Sequence, residues 1–121
     1  MTLPLSPEML AAAYNYLKAT PPFKRWKIPS SDKVIFKVTL NDEAFGWYQW
    51  DGANHKITAS IKAIGHTSTL MQLMAHEVIH LYLEELGREN KNGDTSVHNA
   101  MFRRLAARVC KYHGFDPRAF Y

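Results

Sequence analysis

The pentapeptide His76-Glu77-Val78-Ile79-His80 sets two imidazoles and a carboxylate within five residues. On a helix, four residues make nearly one turn and rise ~6 Å, so both histidines project from one face and can grip a single ion with Glu77 beside them. Zinc suits this pair. It accepts neutral imidazole nitrogen at ~2.0–2.1 Å, and a catalytic site adds a third protein ligand while keeping one position for water. That third ligand must come from elsewhere, and His98, eighteen positions after His80 and in the expected first turn of a later helix, is the best candidate. Leu70, Leu73, Met74, Val78, Ile79, Leu81 and Leu83 make the first helix apolar on nearly every side, as a buried helix is. Lone polar groups in a dry interior cost several kcal/mol, a penalty that metal coordination removes.

The remaining elements must position these groups. Ser6-Pro7-Glu8 has the chemistry of a helix start, and the helix it opens is predicted from Pro7 to Ala19, where Thr20-Pro21-Pro22 breaks it. Phe23 to Pro29 reads as an extended, basic, aromatic loop. Val34, Phe36, Val38 and Leu40 alternate with polar or outward positions, which predicts a strand from Lys33 to Leu40. Ala44 to Trp50 is strand-like, Asp51-Gly52-Ala53-Asn54 is hairpin-turn chemistry, and His55 to Ile64 is a third strand with Ile57, Ala59, Ile61 and Ala63 on one face. Together they predict an antiparallel meander. The metal-bearing helix then begins at Thr67 or Ser68 and ends at Gly87. A polar loop leads to a helix from Ser96 to His113, with Met101, Phe102, Leu105, Ala106, Val109 and Cys110 at helical spacing. The expected fold is α+β over residues 1–121 as one domain: an N-terminal helix, a three-stranded antiparallel sheet, and the metal-bearing helix packed against a C-terminal helix.

Composition narrows the functional class. The 121 residues are 46% hydrophobic and 21% charged, enough for one core without disulfides. The single Cys110 excludes an internal disulfide and a Cys-rich zinc ribbon, so a reducing cytoplasm is the expected setting. No secretory signal and no spanning segment is legible, which points away from a membrane and toward a cytoplasmic monomer. Fifteen Lys and Arg against eleven Asp and Glu give +4, too little for a dedicated nucleic-acid binder. The clusters Lys24-Arg25-Trp26-Lys27 and Arg103-Arg104 with Arg108 and Lys111 read first as a solvated face, and second as weak nucleic-acid contacts in which Trp26 stacks on a base.

His76-Glu77-Val78-Ile79-His80, the spacing onward to His98, and His98-Asn99-Ala100-Met101-Phe102 together resemble the SprT-like zinc metallopeptidases of the zincin clan, whose second element reads His-Gly-x-x-Phe. The resemblance covers roughly Phe45 to Gly114. Asn99 departs from the family's common Gly, and the zinc ribbon that many relatives carry is absent, leaving a minimal catalytic core of the kind a phage or prophage gene encodes. The resemblance implies one catalytic zinc on His76, His80 and His98, a protein or peptide substrate, and Glu77 as general base rather than ligand. Some members act on DNA-bound proteins.

Other residues are candidates for supporting roles. Tyr48, Tyr82 and Tyr112 are each candidate oxyanion donors, against the plainer reading of a core tyrosine with a satisfied hydroxyl. Glu84, one turn past His80, is a candidate for orienting that imidazole. Asp94 is a candidate cap of the last helix, or a carboxylate ligand in place of His98, as in some zincin relatives. His55 and His66 read as exposed or capping groups, and His113 as a partner of a helix dipole. The strand from Lys56 to Ala63 is the expected edge for an added substrate strand. Two other functions compete: a noncatalytic zinc-stabilised module that binds DNA or protein, and a zincin amidase acting on a non-peptide amide. Glu77 favours catalysis, because a purely structural site needs no carboxylate beside its metal.

Overall fold

The N-terminal helix forms where its sequence signals place it. In a computed structural model that describes residues 5–41, 43–61, 67–88 and 98–120, Ser6 Oγ accepts the amide of Met9 at 3.2 Å and caps α1 (Pro7–Lys18). Pro7 occupies the first helical position, and Glu8 in the first turn and Lys18 in the last complement the helix dipole. The next segment is not wholly extended. Phe23–Arg25 makes a single 3-10 turn that buries Phe23, and Trp26 stacks on Tyr82 with ring centroids 4.5 Å apart. An apolar ring at each end of this basic stretch draws it onto the core, an outcome that its charge obscured.

Three strands follow: β1 (Val34–Thr39), β2 (Gly46–Trp50) and β3 (His55–Ser60). Their order across the sheet is β1-β3-β2, with β1 parallel to β3 and β2 antiparallel to it. The sheet is therefore mixed, which corrects the expected antiparallel meander. The expected hairpin turn joins β2 to β3: Asp51 Oδ1 accepts the amides of Ala53 at 2.8 Å and Asn54 at 2.7 Å, and Gly52 takes φ +93°. What the alternation could not show is that β3 returns between its predecessors. Parallel partners need a connection of about a dozen residues or more, and here the loop through β2 supplies it. β3 is consequently central, and the edges are β1 and β2, which also corrects the expectation of β3 as an edge.

Cross-strand rows show how the sheet faces the helices. Phe36, Ile57 and Tyr48 align, as do Val38, Ala59 and Gly46, and Val34, His55 and Trp50. Tyr14 of α1 meets Phe36 edge-on at 5.5 Å. A Cβ on Gly46 would lie 2.5 Å from the Thr58 carbonyl oxygen and 2.8 Å from Leu73 Cδ1, so glycine here lets the helix that carries His76 and His80 approach the sheet closely.

That helix, α2 (Thr67–Glu85), packs against α1, two strands and both later helices. Leu70, Met74, Ala75, Val78, Ile79, Leu81 and Leu83 are all buried. α3 (Ala100–His113) starts later than expected, with Asn99 as its cap, so His98 precedes the helix instead of lying in its first turn. Asn99 Oδ1 accepts the amide of Phe102 at 2.8 Å while its Nδ2 donates to the Arg88 carbonyl at 3.0 Å. Phe102, Leu105, Ala106, Val109 and Cys110 form its buried face, and Gly114 ends it at φ +78°. A short further helix, α4 (Pro117–Phe120), was not foreseen and folds back onto α2 and α3. Among the described residues no helix is long and apolar enough to cross a membrane.

Candidate metal centre

His76 and His80 share a face of α2 because four residues separate them, and the turn before α3 carries His98 over that face. One nitrogen from each of the three imidazoles lies within 4.8 Å of the others. A tetrahedral ion with bonds of ~2.0–2.1 Å holds its ligands about 3.3 Å apart, so modest side-chain rotation closes this trio on one ion. The all-nitrogen donor set suits zinc, and three ligands leave room for water. Residues and ion fit.

The rings are held by more than their own backbones. His76 Nδ1 stands 2.8 Å from the carbonyl oxygen of Phe120 in α4. A carbonyl only accepts, so the proton sits on Nδ1 and Nε2 keeps the lone pair that a metal needs. The same Nε2 is 3.9 Å from Glu77 Oε1. Phe102 stacks on His98 at 4.4 Å and lies 4.5 Å from His80, so one aromatic side chain backs two imidazoles. His76 also packs on Phe102 at 5.0 Å and on the Phe120 ring at 5.5 Å.

This surrounding sets the protonation state. Burial above all, and then the imidazoles of His80 and His98, push the His76 pKa from 6.5 down to about 3, against the opposing pull of the Phe120 carbonyl. At neutral pH the ring is uncharged and competent as a ligand. Glu77 is 3% exposed and His80 fully buried, so both polar side chains sit where little water reaches them.

The other candidates are distributed unevenly. Tyr48 is buried, with its ring nearly parallel to that of His80 at 6.3 Å, and its hydroxyl is 2.6 Å from His55 Nδ1. Tyr82 lies under Trp26, and Tyr112 is exposed about 18 Å along α3 from its start, so neither is brought to the imidazoles. Glu84 is half-buried one turn beyond His80. Asp94 and His66 lie outside the described residues. His113 Nε2 sits 3.0 Å from the Pro21 carbonyl and 3.2 Å from Thr20 Oγ1, tying the end of α3 to the segment after α1. Burial lowers its pKa.

One buried imidazole near the sheet and one backbone acceptor at the site are not legible in the sequence motifs. His55, expected to be exposed or capping, is only 6% exposed, and its Nε2 is 2.8 Å from Glu85 Oε1. Its place in phase with Ile57 and Ala59 on the apolar face of β3 was the available signal. The Phe120 carbonyl carried none, since a backbone acceptor leaves no mark in side-chain pattern.

A search of curated proteins finds no match to the chain. A family model described as the SprT-like family matches residues 14–119, a span that contains all three imidazoles, Glu77, Phe102 and the first residues of α4. With nearly its whole length matched and the imidazole trio assembled, the chain belongs to the SprT-like family.

Proposed function

We propose that this protein is a zinc-dependent metallopeptidase that hydrolyses peptide bonds of a protein substrate. The observation that carries the reading is the buried Glu77 carboxylate, 3.9 Å from the ligand nitrogen of His76 and beside a converging trio of imidazoles. Zinc, when bound by His76, His80 and His98, supplies Lewis acidity toward the attacking water and the scissile carbonyl. Glu77 takes the proton of that water and passes it to the leaving amine, a role that its place beside the imidazoles suits. His76 stays neutral and oriented by the Phe120 carbonyl, while the Phe102 ring packs on both His76 and His80.

β2 is the strand that an extended substrate would join. It is an edge of the sheet, it contacts α2, and its Tyr48 lies against His80. Main-chain hydrogen bonds along such an edge give affinity with little sequence selectivity. Arg103, Arg104, Arg108 and Lys111 are all exposed on α3, a cationic face suited to an acidic partner.

Glu77→Gln tests the reading. Zinc content should be retained, while turnover of an unfolded protein substrate should fall by about 10²–10⁴-fold, the usual contribution of a positioned base. Full activity in this variant contradicts the assignment.

A further inference from the structure

Tyr48, His55 and Glu85 form a hydrogen-bonded chain through β2, β3 and the last turn of α2. Glu85 is an acceptor when ionised, so His55 Nε2 donates to it across 2.8 Å, and the other ring nitrogen, Nδ1, accepts from the Tyr48 hydroxyl across 2.6 Å. The hydroxyl proton of Tyr48 is thereby directed at His55. What Tyr48 presents to the metal centre is its ring, nearly parallel to that of His80, with an interplanar angle of 8°.

The contacts close a circuit. α2 carries His80 and, five residues later, Glu85, and the chain from Glu85 through His55 and Tyr48 leads back to His80. Trp50 covers His55 at 4.8 Å, so the middle of the circuit is shielded from water. His55 is buried while the Glu85 side chain is 46% exposed, so the bond is anchored at the His55 end, where it fixes the imidazole between Glu85 and Tyr48.

We infer that Tyr48, His55 and Glu85 are positioning residues that set the orientation of the His80 imidazole for the metal. This rests on the proposal that His76, His80 and His98 bind zinc, and it adds three residues that act on that site from the sheet side. Outer partners of metal-bound histidines typically change affinity by about 10–100-fold when removed. Tyr48 acts on His80 through its ring, 6.3 Å away between centroids, so the lower end of that range is expected.

The test uses the full chain and compares Tyr48→Phe, Glu85→Leu and Glu85→Gln with the parent. Zinc affinity is measured by competition with a chelator, and cobalt(II) is substituted to record its visible d–d spectrum, which reports ligand angles. Tyr48→Phe and Glu85→Leu should each weaken zinc by about tenfold and shift the cobalt bands. Glu85→Gln keeps an oxygen acceptor for His55 and should recover most of the affinity. The double variant Tyr48→Phe with Glu85→Leu should lose little more than either alone, because both act through one chain. Circular dichroism of the metal-free variants identifies any that fail to fold, and Glu85→Gln and Tyr48→Phe are conservative enough to be read independently. Unchanged zinc affinity and cobalt bands, or full additivity in the double variant, would overturn the inference. If His98→Ala also leaves zinc affinity unchanged, the metal-centre reading itself fails, which separates the two.

Discussion

Removing α4 should loosen the metal centre from a distance along the chain of about forty residues. Truncation after Asp116 deletes the Phe120 carbonyl that accepts from His76 Nδ1 at 2.8 Å, and the ring that packs on the same imidazole at 5.5 Å. His76 then has no fixed tautomer, and its ring can turn with Nδ1 toward the ion. Loss of such an outer partner costs about 10–100-fold in metal affinity, or about 1.4–2.7 kcal/mol. Burial of Phe120 at 3% exposure also stabilises the fold by roughly 2 kcal/mol, so some general loss accompanies the truncation. The two effects are separable. Phe120→Ala keeps the carbonyl while losing the ring, and should retain most of the zinc affinity that truncation removes. Chelator competition reads both variants, with circular dichroism showing that each is folded at the temperature used. Equal zinc affinity in the truncated and parent chains would refute the reasoning that this carbonyl orients His76.

Two further outcomes follow from packing and protonation. Gly46→Ala places a methyl 2.5 Å from the Thr58 carbonyl oxygen and 2.8 Å from Leu73, so β2 or α2 must shift, and urea unfolding should show a loss of about 1–3 kcal/mol. A loss under about 0.5 kcal/mol would mean that the approach of α2 to the sheet is looser than described. For the metal-free protein, the depressed His76 pKa makes stability acid-sensitive. With a folded value of about 3 against 6.5 unfolded, its contribution is complete above pH 6.5 and declines as pH falls toward 3. Lowering pH from 6.5 to 5 in chelator should cost about 2 kcal/mol from this group, and His76→Asn should remove that part of the slope. An identical slope in the variant would show that other groups carry the acid sensitivity.

Local signals proved reliable where chemistry is local. Ser6, the Asp51 turn and Gly114 each fix their own neighbourhood, and their elements formed as read. The four-residue spacing of His76 and His80 likewise determines a shared helix face, whatever surrounds it. Strand order was not legible, because the alternation in β3 records which residues face the helices and not which strands lie on either side. The start of α3 was misplaced because Asn99 was judged as a departure from a family pattern and not as a cap. In the structure, its carboxamide caps the helix and holds Arg88, which sets His98 just outside the first turn. The supporting shell was the least visible part. His55 needed register, and the Phe120 carbonyl needed the return of α4, neither of which composition or periodicity encodes.

X-ray absorption at the zinc edge of the loaded protein tests the central claim most directly. Three imidazole nitrogens, marked by scattering from the outer ring atoms, and one oxygen donor at about 2.0–2.1 Å are expected, with one imidazole lost in His98→Ala. A fourth protein ligand in place of the oxygen, or the same spectrum in His98→Ala, would contradict a three-histidine centre with an open position.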